Sequence, residues 1–108
     1  MERIFLNKDI IEIINAIPSS FQGKLDVKRS STDIWKSFYV HLKNNLLAAY
    51  TDDNIKLSWV LILEDAFPVQ HTDTDFSILL QENLESVHFQ SLSKLSTDAW
   101  MKAIFAAL

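Results

Sequence analysis

From Phe21 to Leu92 the chain reads as seven short runs of β-branched and aromatic residues, separated by polar segments. FQGKLDVKR alternates at Leu25 and Val27, as a half-buried strand does. IWKSFYVHL, NLLAAYT and KLSWVLIL follow as strands two to four, parted by the loop Ser30 to Asp33, by Lys43, Asn44 and Asn45, and by the turn Thr51 to Asn54. AFPVQ is a fifth strand that Pro68 confines to an edge or an end, because proline donates no ladder hydrogen bond. HTDTD is a loop, FSILL the sixth strand, QENLE a turn and SVHFQSL the seventh. Runs joined this tightly favour antiparallel neighbours, and hence a small barrel or an orthogonal sandwich. Gly23 is the single glycine, so the turns rely on Asn and Asp, whose side chains replace backbone partners.

Two helices flank the strands. In NKDIIEIINAI, residues Asn7 to Ile17, four isoleucines at 10, 13, 14 and 17 share one helical face. Asn7 suits the N-cap, Asp9 the first turn, and Pro18 ends the segment. An amphipathic helix outside the barrel packs on it, meets a partner or pairs with its copy, so Ile10, Ile13, Ile14 and Ile17 are candidate partner-binding residues, with packing on the barrel favoured. In LSTDAWMKAIFAAL, Ser96 is read as the N-cap, with Asp98 and Trp100 in the first turn. Trp100, Ala103, Ile104, Ala107 and Leu108 form one face, widened by Met101 and Phe105. So apolar a helix must lie against the strands. Trp100 is expected to plug one end of the barrel, burying on the order of 200 Å².

Composition bounds the rest. At 108 residues and 48% hydrophobic, with three Trp, two Tyr and seven Phe, the chain supplies one core. No apolar run approaches the roughly 20 residues of a membrane span. MERIFLNKD lacks the shape of a secretory signal, and the absence of cysteine excludes disulfides and thiolate chemistry. A net charge of −4 argues against a general nucleic-acid binder. The charge is uneven. Lys24, Lys28, Arg29, Lys36 and Lys43 face only Asp26 and Asp33 within residues 24–43, a net +3 that leaves −7 on the remainder.

No catalytic or metal chemistry stands out. His41, His71 and His88 lie far apart in sequence, and HTDTD lacks the spacing and glycine of an EF-hand loop. Ser30, Ser31 and Thr32 have no adjacent His, and no glycine-rich phosphate loop is present.

Seven strands followed by one tryptophan-bearing helix resemble the pleckstrin homology (PH) domain. The resemblance covers Phe21 to Ala107 and rests on ordered landmarks. GKL at Gly23 to Leu25 resembles the first strand. WKSFYVHL at Trp35 to Leu42 resembles a second strand that in the family commonly reads W-K-R-R-W-F-x-L. LILED at Leu61 to Asp65, FSI at Phe76 to Ile78 and VHFQSLSKLSTDAWMKAI resemble the fourth strand, the sixth, and the seventh with its connector and helix. Phosphotyrosine-binding and EVH1 domains share the superfold. On this reading residues 1–20 are a helical extension and 21–108 the PH-like domain.

The resemblance implies a non-catalytic recruitment module of a larger signalling or trafficking protein, cytoplasmic with peripheral membrane attachment, without cofactor or metal. The family's headgroup pattern puts a Lys late in the first strand and Lys/Arg-x-Arg early in the second. Here the first position falls at Val27. Lys36 matches a basic position, but Phe38 replaces its partner. Lys28 and Arg29 lie beside the vacant position and could serve a headgroup from the outer side of the loop. The expected lipid site is therefore weak or atypical, built from Lys24, Lys28, Arg29 and Lys36, and directed at anionic, phosphoinositide-containing membranes. The alternative is a protein-interaction module that binds a protein partner or itself without specific lipid binding.

Overall fold

The computed structural model describes residues 6–29, 33–51, 53–81 and 84–108. The elements are α1 Lys8–Ala16, β1 Phe21–Lys28, β2 Lys36–Lys43, β3 Leu46–Tyr50, β4 Leu57–Ile62, β5 Ala66–Gln70, β6 Asp75–Leu80, β7 Glu85–Gln90 and α2 Lys94–Ala107. All seven strands pair antiparallel in the order β4-β3-β2-β1-β7-β6-β5. β1 and β2 stay in register from Phe21↔Leu42 to Val27↔Lys36, whereas β1 meets β7 only from Asp26 to Lys28. The two halves of the sheet are thus joined over one short overlap, and their inner faces close on a single core. Leu25, Val40, Leu42 and Leu61 come to it from one half, and Phe76, Ile78, Val87 and Phe89 from the other. The architecture is a PH-like antiparallel sandwich with a capping helix. The loop residues Ser30 to Thr32, with Asp52 and Glu82–Asn83 of two turns, lie outside the described residues.

Turn chemistry follows from the near-absence of glycine. Asn44, Asn54 and Asp65 take left-handed φ values of 55°, 59° and 58°, which Asx side chains tolerate best after glycine. Leu84 adopts φ 57° with no such help, at a cost of about 1–2 kcal/mol. Pro68 sits on β5, an outer strand, where its missing N–H breaks no interior ladder.

Strand β1 turns Phe21, Gly23, Leu25 and Val27 toward the core and α2. Gly23 packs against Trp100: an added Cβ would stand 3.4 Å from its Cζ2 and Nε1, in close van der Waals contact. Phe21 packs edge-on to the same indole at 4.7 Å. Trp100 is buried as expected, but the helix begins earlier than the sequence suggests. Ser93, not Ser96, is the N-cap, accepting from the Ser96 amide. Trp100 therefore lies in the second turn, and Asp98 is no first-turn residue but pairs with Lys94 at 2.7 Å. The reason is tertiary. Thr97 is fully buried, bonded to the Ser91 hydroxyl and the Ser93 carbonyl, which pulls the first turn onto the end of β7. The apolar face is also narrower than expected: Ile104 is buried and Met101 packs on the core, while Phe105 and Leu108 remain exposed.

Helix α1 packs on the other side of the sheet, across Ala48, Tyr50, Leu57 and Val60. Asn7 caps it as read, its Oδ1 accepting from the Ile10 amide at 2.9 Å. Ile14 is buried, with Ile10 and Ile11 packed beside it and Ile17 half-buried. Ile13 points away and is 63% exposed, so the stripe runs through Ile11 rather than Ile13. Two polar anchors fix the helix end. Lys43, itself buried, donates to the Ile14 carbonyl at 3.0 Å and lies 5.5 Å from the Tyr50 ring. The Tyr50 hydroxyl donates to Asn15 Oδ1 at 2.6 Å. Carbonyls at a helix C-terminus carry partial negative charge, so an ammonium there is favourable. Ile14→Asp is expected to destabilise the protein by about 3–5 kcal/mol, whereas Ile13→Asp changes it by less than about 0.5 kcal/mol. Urea unfolding of both variants checks this.

Candidate anion-binding site

The β1–β2 connection leaves the barrel at the end away from α2. Val27↔Lys36 is its last paired position. Beyond it, a cavity of about 440 Å³ is lined by Val27, Lys28, Arg29, Asp33, Ile34, Lys36, Phe38, Ser58 and Trp59. Its size lies within the range typical of small-ligand clefts. Among the described residues, three cations and one carboxylate line it, a net excess of two positive charges. Phe38 holds the place where the family resemblance expects a second cation. Its ring meets Trp59 edge-on at 5.7 Å and makes that wall apolar. Lys28 does not stand free in water: its Nζ lies 4.6 Å from the Trp35 ring centroid, a cation–π contact that positions the ammonium at little entropic cost. Ile34 beside it is 73% exposed. Lys24 lies elsewhere. It faces outward from β1 over Tyr39, 5.9 Å from that ring, and does not line the cavity. Of the four expected cations, the structure brings Lys28, Arg29 and Lys36 together and leaves Lys24 apart.

On the opposite flank of Lys28 lies a second cavity, of about 270 Å³, lined by Lys28, Trp35, His71, Asp75, Phe76, His88 and Phe89. The sequence separates its two histidines, but the β6–β7 register pairs Ser77 with His88, and His71 Nε2 bonds to the Ser77 hydroxyl at 2.7 Å. The rings of His71 and His88 stand 6.3 Å apart. Burial, then the charge of His71 and of Lys28, pushes the His88 pKa below the usual imidazole value. The loop before β6 is ordered by Thr72, whose Oγ1 accepts from the Thr74 and Asp75 amides. Asp75 turns Oδ1 into the protein, where it is buried without a hydrogen-bond partner. His41 is engaged elsewhere. Its Nε2 is hydrogen-bonded to Asn54 Oδ1 at 2.8 Å, and its Nδ1 to the Ser19 hydroxyl at 2.8 Å. That chain ties the α1–β1 connector to the β3–β4 turn. Among the described residues, no group of three His, Asp or Glu side chains is placed to hold a metal ion. No helix among them is long and apolar enough to cross a membrane.

No protein-family model matches the chain, and no curated protein matches it. Among solved structures it is similar to the tandem PX and PH domains of Bem3 from Saccharomyces cerevisiae, with a TM-score of 0.67 at 15% sequence identity. The superposition covers 93% of this chain and 51% of that one, so the chain spans about half the length of the structure it matches. The fold is PH-like. Within the PH-like frame, the larger cavity opens between the β1–β2 loop and β4, and the smaller one lies across β1 toward β7.

Lys28, Arg29 and Lys36, expected from the sequence, line one cavity, whereas the nearness of His71 and His88 has no local signal in the sequence, because β5, β6 and β7 bring them together. Lys43, which contributes to the positive balance of residues 24–43, is buried against α1. The lowered His88 pKa has a stability consequence. The folded state holds fewer protons than the unfolded chain, so this contribution is complete above the unfolded value of about 6.5 and is lost as pH falls toward the folded value. The melting temperature is expected to drop between about pH 7 and pH 5, and His88→Gln should flatten that dependence. Thermal melts of both proteins across this range test it.

Proposed function

We propose that this chain is a non-catalytic recruitment module that binds anionic, phosphoinositide-containing membranes weakly through the end carrying Lys28, Arg29 and Lys36. The observation that supports this reading is their convergence on one cavity beside the exposed Ile34 and Trp35. Multiply charged phosphates need several converging cations, and an apolar rim suits the headgroup–acyl boundary. Each basic residue near an anionic surface contributes about 1 kcal/mol, so three give roughly 3 kcal/mol before Asp33 and the acidic remainder subtract. Such a module works together with other membrane contacts of its host protein, in signalling or trafficking at the cytoplasmic leaflet. Lys24, set apart from the cavity, adds only to the general attraction.

Changing both Lys28 and Arg29 to Ala should weaken binding to phosphoinositide vesicles roughly 10- to 30-fold. Lys24→Ala should change it by less than about 3-fold, and added salt should weaken the unmodified domain, since screening acts over roughly 8–10 Å. Co-sedimentation with vesicles measures all three. Unchanged affinity in the double variant, or indifference to salt, contradicts the reading.

One observation favours a second reading, a protein-interaction surface on α1. Ile13 is 63% exposed on a helix whose Ile10 and Ile14 are docked, with Ile17 half-buried. Under that reading Ile13→Asp abolishes association with a partner or a second copy and leaves vesicle binding intact.

A further inference from the structure

We propose that the outer face of β5 and β6 is a docking surface for a second copy of this chain. Each copy seats a tip formed by Arg29, Ile34, Trp35 and Lys36 on a patch formed by Phe67 and Leu79 of the other. This goes beyond the membrane reading above and stands or falls without it.

The two halves of the sheet are covered unequally. On the outer face of the first half, α1 packs across Ala48, Tyr50, Leu57 and Val60. In the second half Ala66 and Pro68 turn inward, and Phe67 and Val69 turn out. Phe67 stands opposite Leu79, and Leu79 opposite Ser86, so two apolar side chains lie side by side across β5 and β6. Phe67 is 55% exposed, and neither it nor Val69 nor Leu79 packs on the core or on α1. Leu84, two residues before Ser86, is 76% exposed at a left-handed φ of 57°. Backbone strain on an exposed leucine beside an uncovered apolar pair fits a surface that meets a partner. Glu64 and Asp65, both exposed, form the turn into β5 and put two carboxylates at the margin of the patch.

Such a patch calls for an occupant that is apolar and cationic, and the chain itself carries one. Ile34 and Trp35 are exposed, and Arg29 and Lys36 flank them. Both surfaces lie on one side of the molecule. Lys28, held under Trp35, is in register with His88, His88 with Ser77, and Ser77 with Val69. The tip thus stands at the β1 margin of this face, and Phe67 at its β5 margin. A two-fold axis between copies lays each tip over the other's patch, so the contact is self-complementary and closes as a dimer. Ile34 and Trp35 meet Phe67 and Leu79, while Arg29 and Lys36 meet Glu64 and Asp65. The apolar centre supplies affinity, and the opposite charges at its rim fix the register. The cations of the tip are those of the membrane reading, so the dimer and the vesicle-bound form exclude one another.

Sedimentation equilibrium of the full chain, from about 10 μM to about 1 mM, tests this. The expected result is a dimer that loosens as salt rises. Phe67→Asp should weaken association roughly 10-fold or more and leave binding to phosphoinositide vesicles unchanged or tighter. Glu64→Lys with Asp65→Asn reverses the charge of the patch and keeps a residue that tolerates the left-handed turn. Arg29→Glu with Lys36→Glu reverses the charge of the tip. Each of these two variants should sediment as a monomer. Mixed, they should recover a one-to-one dimer, because each then carries the charge that the other's surface lacks. That recovery also shows both to be folded. A chain that stays monomeric throughout, or a dimer that Phe67→Asp and both charge variants leave intact, overturns the proposal and leaves the membrane reading untouched. Weaker vesicle binding by Phe67→Asp with unchanged sedimentation overturns it too, and assigns this face to the membrane.

Discussion

The fit of the Trp100 indole into the space left open at Gly23 is the constraint on which the arrangement depends. Strand β1 is the joint of the sheet, paired to β2 on one side and β7 on the other. A side chain much larger than methyl at its third residue would displace the indole, because even a Cβ would stand at 3.4 Å. With the ring seated there and Phe21 against its face, α2 closes the end of the barrel where β1 begins and β2 ends. Losing so large a buried ring typically costs about 3–5 kcal/mol, a large share of a small domain's stability. Gly23 lies within a strand against the indole, and the positive-φ turn positions fall to Asn44, Asn54 and Asp65.

Closing one end by a helix leaves the other to loops, and there Lys28, Arg29 and Lys36 meet around one cavity. Lys28 is the last residue of β1 and the wall shared by both cavities. Trp35 holds its ammonium between them. His88, opposite Lys28 in register, is held below the usual imidazole pKa by burial first, and then by the charge of His71 and of Lys28. On the opposite face of the sheet α1 covers Ala48 and Val60, and Lys43 is engaged at the helix end.

Much of this was legible in the sequence, for physical reasons that differ by element. Alternation at Leu25 and Val27, and the edge position of Pro68, follow from strand geometry and from a missing N–H, so they survive any tertiary context. The Asn7 cap is a local bond and was read correctly. The α2 cap was not, because Ser93 and Ser96 offer similar local chemistry and the choice falls to the burial of Thr97. Which isoleucine of α1 turns outward depends on how the helix is rotated over β3 and β4, and four similar side chains cannot specify that. The cation cluster was legible in part, as Lys28, Arg29 and Lys36 flank a single loop. Separating Lys24 from them requires the outward face of β1, and pairing His71 with His88 requires the register of three strands.

On the proposed reading, anionic ligands meet the molecule at the Lys28 end, away from α2 and α1. Amide chemical-shift mapping with a soluble inositol polyphosphate tests it most directly. The expected result is that the largest shifts fall on Lys28, Arg29 and Lys36 and on the Trp35 indole N–H, with Trp100 unmoved. Shifts centred on α1 or the start of α2, with the β1–β2 residues silent, would contradict it.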